Sequence, residues 1–153
     1  MENTTENSNE NSSENTTEGS TESLIVISKV KKFIKEKADM NTSAGFFEPL
    51  NKDIMKACRD AMNHAQKLGR KTVMGKDFNL YVENSGIEEA LVVASKVKKL
   101  IKEEASLSTS AQAIDQLTVR VQTVCMKAIE NAKADKRKTV MDRDFTAPTT
   151  LTV

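Results

Sequence analysis

The chain has 153 residues, of which 38% are hydrophobic and only 4% aromatic, with no Trp and a formal charge of +1. One domain of ordinary size is available at that length, and a core of Val, Ile, Leu, Met, Ala and a few Phe favours helices over a sheet. The longest early apolar stretch, Leu24-Ile25-Val26-Ile27, is far short of the roughly 20 residues that span a membrane, and no signal-peptide pattern is seen. A soluble cytoplasmic protein with Cys58 and Cys125 as reduced thiols is expected.

Residues 1–22 hold six Glu, at positions 2, 6, 10, 14, 18 and 22, and no Lys or Arg, with Asn, Ser and Thr between. Such a segment has almost nothing to bury, so a disordered acidic tail is expected. Without it, 23 basic and 16 acidic side chains remain, a formal +7, which suits a polyanionic partner.

Beyond the tail the chain is one unit written twice. Residues 24–78 recur as 91–145 at a constant offset of 67, with 25 identical positions and no gap. A unit repeated only twice does not suit an open solenoid. Each copy alone would be marginal, whereas pairing would let each cover the other's apolar face.

In chain order, a first helix is predicted from about Ser23 to Lys37, with Val26, Val30, Phe33, Ile34 and Ala38 on one face and Lys31, Lys32 and Lys35 pointing away. The second copy repeats it with Val93, Val97, Leu100 and Ile101 inward and Lys98, Lys99 and Lys102 outward. Lysines on a helix often mark only a solvated face, but these are duplicated. Asn41-Thr42-Ser43 and Ser108-Thr109-Ser110 stop one helix and start the next, and Thr109 with Gln112 matches a capping box.

Long helices follow at about 43–68 and 110–135. One stripe carries Leu50, Ile54, Ala57, Cys58, Ala61, Ala65 and Leu68, and the other Leu117, Val121, Val124, Cys125, Ala128 and Ala132. Pro49 should kink the first or delay its start; Gln116 in its place should leave the second more regular. Gly69 suits a left-handed cap, while Lys136 must accept strain there. A third helix is predicted from Met74 to Tyr81 or Val82, with a linker at Asn84-Ser85-Gly86. In the second copy, Pro148 should cut that helix to about one turn or less, before a loose terminus. The boundaries are therefore 1–22 (tail), 23–85, 86–146 and 147–153.

Between the second and third helices stands Arg70-Lys71-Thr72-Val73, with Asp77 seven residues after the Arg, and its copy is Arg137-Lys138-Thr139-Val140 with Asp144. A loop holding Arg, Lys and Thr on a short convex edge offers phosphates charge and a hydroxyl. The bland reading is a fold-specifying turn with an internal ion pair. His64, the only His, has no Cys partner at ligand spacing, so no metal site is expected. No phosphate-binding glycine loop or nucleophile triad is present, and neither an enzyme nor a cofactor is expected.

Short, long and short helices with these loops resemble the histone fold, most closely the small bacterial and archaeal histones, here as a fused doublet. The resemblance implies an all-α chain of two tandem histone folds paired in an intramolecular handshake. It also implies ion pairs Arg70–Asp77 and Arg137–Asp144, and loop neighbours Thr42 and Ser43 beside Lys138, with Thr109 and Ser110 beside Lys71. Double-stranded DNA would be the partner, met by Arg70, Lys71, Thr72, Lys76, Arg137, Lys138, Thr139 and Arg143, by the six helix lysines and by Thr42, Ser43, Thr109 and Ser110, in a nucleoid-associated protein. Similarity to histones thought to assemble face to face suggests self-association of doublets. The rival reading is a histone-fold protein-interaction module whose acidic tail masks the basic surface or binds a basic partner.

Overall fold

The computed structural model describes residues 23–78 and 90–147. Residues 1–22, the expected third helix beyond Phe78, the linker at 84–86 and the terminus from Pro148 lie outside the described residues, as does the expected boundary between the two repeats at 85 and 86. Four α-helices are present among the described residues: α1 (Ile27–Ala38), α2 (Phe47–Lys67), α3 (Ala94–Ala105) and α4 (Ala111–Ala134). No described helix is long and apolar enough to cross a membrane.

The first helix starts later than its periodicity suggests. Leu24 and Ile25, each 3% exposed, are extended, and Ile25 forms an antiparallel bridge with Val92 at the same point of the second repeat. The Val26 amide donates to the Leu91 carbonyl at 2.9 Å and the Val93 amide to the Leu24 carbonyl at 2.7 Å. Val26 and Val93 are thus half-buried caps ahead of the helices. β-Branched side chains suit this pairing, and it gains apolar burial that an exposed first turn would forgo. Asn51 and Thr118, which are equivalent positions, anchor the two segments: their side-chain oxygens accept from Leu24 at 2.7 Å and Leu91 at 3.1 Å.

Within α1 and α3, Val30, Ile34, Val97 and Ile101 are buried, and Phe33, Ala38 and Leu100 pack against the core. Asp39 and Ser106 end these helices in the left-handed region, φ 57° and 56°, returning their amides to Lys35 and Lys102. In the first repeat, residues 44–46 form a 3-10 turn before α2 begins at Phe47. The delay follows from Pro49, which lacks the amide that an α-turn would aim at Gly45. With Gln116 at the equivalent position, α4 runs unbroken from Ala111. Its cap is Ser110, whose Oγ accepts from the Ala113 amide at 3.2 Å, and not the Thr109–Gln112 box.

The long-helix stripes from Leu50 to Ala65 and from Leu117 to Ala132 are buried together, with Cys58 and Cys125 fully inside. Leu68 departs from its expected place and is 60% exposed, because α2 ends at Lys67 and Leu68 belongs to the turn. Gly69 at φ 73° and Lys136 at φ 59° then reverse the chain, so the lysine carries the strain its position implied.

Four two-residue strands supplement the helices: β1 (Asn41–Thr42), β2 (Thr72–Val73), β3 (Ser108–Thr109) and β4 (Thr139–Val140). They pair in parallel across the repeats, β1 with β4 (Asn41 opposite Thr139) and β2 with β3 (Thr72 opposite Ser108). The third segment of each repeat is a 3-10 turn, Gly75–Asp77 or Asp142–Asp144; the latter continues without helix to Ala147, as the shortened end predicted.

Candidate nucleic-acid interface

Each strand pair is extended by backbone hydrogen bonds that fix which loops meet. Asn41 donates to the Lys138 carbonyl at 3.0 Å and Ser43 to that of Val140 at 2.8 Å. On the other side Ser108 donates to the Lys71 carbonyl and Ser110 to that of Val73, both at 2.9 Å. The structure therefore sets Asn41 against Lys138 with Thr42 and Ser43 against Val140, and Ser108 against Lys71 with Thr109 and Ser110 against Val73, so each lysine shares a strand pair with the hydroxyl residues expected beside it. Both lysine side chains are exposed, as are Lys76 and Arg143 in the following turns.

Arg70 and Arg137 face inward to the loops they begin. Arg70 donates through Nη1 to the Thr72 carbonyl at 3.0 Å and to Asp77 Oδ2 at 2.8 Å, and through Nη2 to Asp77 Oδ1. Asp77 also accepts the Met74 amide at 2.7 Å and lies 2.8 Å from His64 Nδ1. Burial opposes ionisation of Asp77, but the bonds from Arg70, the Met74 amide and His64 outweigh it and bring its pKa down to about 2. Arg137 repeats the arrangement on the Thr139 carbonyl and Asp144, whose pKa its hydrogen bonds lower, and adds Asp135 at 2.8 Å. These bonds hold the loops in shape and turn the two arginine side chains away from the open surface on which Lys71 and Lys138 stand.

The α1 lysines join one of these loop pairs. Lys31, Lys32 and Lys35 line a surface pocket of about 400 Å³ with Ser28, Asn41 and Thr42, and the backbone of Asn41 leads directly to Lys138. Lys98, Lys99 and Lys102 are exposed on α3, which precedes β3. The Thr42 and Thr109 hydroxyls are buried and have no hydrogen-bond partner among the described residues. Ser110 accepts a bond from the Ala113 amide and keeps its own proton to donate.

His64 sits on the Asp77 carboxylate and is half-exposed. No group of three or more His, Cys, Asp or Glu able to hold a metal occurs among the described residues. Cys58 and Cys125 are fully buried, and desolvation pushes each thiol up to about 12, as suits small core residues that do not react.

Sequence reasoning passed over two ion pairs between the repeats. Arg120 grips Asp53 through Nε at 2.7 Å and Nη2 at 3.0 Å, and Arg59 grips Glu104 at 3.1 and 3.0 Å. The signal was available: positions 53 and 120 are one repeat apart and carry opposite charges, as do 37 and 104.

No protein-family model and no curated protein matches the chain. Among solved structures it is similar to the crystal structure of the histone from Methanopyrus kandleri, with 20% sequence identity and a TM-score of 0.55, over 78% of this chain and 89% of that one. Helices paired through crossed loop strands and the match to that structure give the same result: the chain has the histone fold.

Proposed function

We propose that the chain is a DNA-binding histone doublet, in which one polypeptide makes the handshake pair that single histones build from two, and that it organises a prokaryotic nucleoid. The observation that carries the reading is the doubled loop edge. On each side an exposed lysine, Lys71 or Lys138, stands on a strand pair with hydroxyl residues of the other repeat, and on one of them a helix lysine cluster opens into the same surface. The name of the similar solved protein supports it. Contacts of this kind address phosphates, so sequence preference would come from DNA shape. Arg70 and Arg137 would act mainly by holding the loops, with Thr72 and Thr139 beside the contacting lysines. The domains are then 23–85 and 86–146, and two doublets could join into a larger particle.

Salt-titrated binding to duplex DNA tests this. If about six phosphates are engaged, the slope of log affinity against log salt is near −5. Affinity independent of salt removes the reading.

The six Glu of residues 1–22 favour a second reading, in which the tail covers the basic surface or the chain pairs with a basic protein. Deleting those residues separates the two. A large gain in DNA affinity indicates masking, and no binding even then supports the protein-partner reading.

A further inference from the structure

The pair Asp53–Arg120 joins residues at the same position of the two repeats, 67 apart, on the long helices α2 and α4. Residues that are equivalent and yet touch lie on the local twofold relating the repeats. A residue on such an axis meets its own counterpart, so a pairing of two first repeats would set Asp53 against Asp53, and of two second repeats Arg120 against Arg120. Only unlike repeats neutralise the position. The site is nearly dry, with the Asp53 side chain 6% exposed and that of Arg120 15%, so like charges there would be expensive.

Two independent contacts repeat the pattern. Arg59 on α2 holds Glu104 on α3, and the residue equivalent to Glu104 is Lys37, which lies over the Phe33 ring. Two first repeats would bring Arg59 to Lys37. Close packing adds a steric version. Gly45 faces Asp142, with an ordinary 3.9 Å between that side chain and the place a Cβ would occupy; the equivalent contact is tighter, Gly75 meeting Gln112 at 3.3 Å and Gln116 at 3.2 Å. Each bulky residue meets a glycine. Two second repeats would force Gln112 onto Asp142, and two first repeats would leave Gly45 opposite Gly75 with a void.

We infer that the face each repeat presents to the other is coded, in charge and in shape, to accept only the unlike repeat. The inference rests on the proposed doublet reading and not on DNA binding. Its partner class is definite: repeat one takes a histone-fold unit with a cation at the axial position and an acid at the end of its first helix, and repeat two takes one with an acid at the axial position and a cation on its long helix where Arg59 stands. A second copy of the chain can exchange halves reciprocally, but it cannot contribute a like half.

Single substitutions recreate the forbidden contacts inside the full chain. Asp53→Arg imposes the contact of two second repeats and Arg120→Asp that of two first repeats. Each should raise the unfolding equilibrium constant by about 100-fold or more, as expected when a buried pair is broken. The double variant, with the pair reversed, should return to within about tenfold of the native chain. Asp53→Asn with Arg120→Gln should fall between, and serves if a single variant does not fold. Refolded together, the two single variants should give a two-chain particle, because reciprocal exchange restores both pairs. A double variant no more stable than its weaker single overturns the inference, as do singles within about threefold of native. If in that last case the native buried thiols resist alkylation, the doublet stands and only the code fails; thiols that react at the unfolded rate remove the doublet itself. DNA affinity is measured separately and bears on neither result.

Discussion

Arg70 and Asp77 close the Lys71-Thr72 loop on itself: one guanidinium takes both carboxylate oxygens and the Thr72 carbonyl, and the same carboxylate caps the next turn through the Met74 amide. The lysine and hydroxyl positions depend on that clamp. Asp77→Asn should cost about 2 kcal/mol at neutral pH, since it removes the charge of a buried carboxylate that Arg70 and the Met74 amide hold. Asp144→Asn should behave alike in the second repeat, where Asp135 keeps part of the charge balance. Urea unfolding measures both, and native stability in either variant would show that the clamp is idle.

The same pair sets an acid limit. The pKa of Asp77 is lowered from 3.8 to about 2, so its contribution is fully present above pH 4 and is lost as pH falls through 2. The linked stability is about 2 kcal/mol. Between pH 5 and 2 the native chain should lose stability more steeply than Asp77→Asn. Parallel profiles would place the acid sensitivity elsewhere.

Lys71→Glu and Lys138→Glu should each weaken DNA binding across all sequences and reduce the salt slope by about 1. Because each lysine belongs to a separate loop pair, the losses should add. Unchanged affinity in the double variant would move the interface away from the loops.

Gly69 and Lys136 occupy the same left-handed turn at φ 73° and 59°. Lys136→Gly should therefore stabilise the protein by about 0.5–1 kcal/mol, and Gly69→Ala should destabilise it by about 1 kcal/mol. Thermal unfolding reads both, and matching losses would contradict the assigned backbone.

Cys58 and Cys125 should resist alkylation in the native state, since both are inaccessible and burial pushes their thiols up to about 12. Mass spectrometry should find labelling that follows global unfolding, with both sites reacting together. Early labelling of one site alone would show local opening of that helix.

Much of this protein was determined by short-range rules that a sequence exposes. The apolar stripes from Leu50 to Ala65 and Leu117 to Ala132, the delay imposed by Pro49 and the left-handed turns at Gly69 and Lys136 follow from helical periodicity and backbone sterics, which act within a few residues. Lys71 and Lys138 stood out as candidates because a 67-residue repeat displays them twice. Tertiary structure decided what depends on the partner across the repeats. Leu24 and Ile25 left the first helix because the second repeat supplies Leu91 and Val92 to pair with, a gain that no local pattern registers. Leu68 was lost from the core because the turn at Gly69 carries it outward. Above all, Asp53 and Arg120 read separately as ordinary charges on long helices. Only the twofold arrangement brings equivalent positions into contact, and there their opposite signs become a condition on which halves can pair.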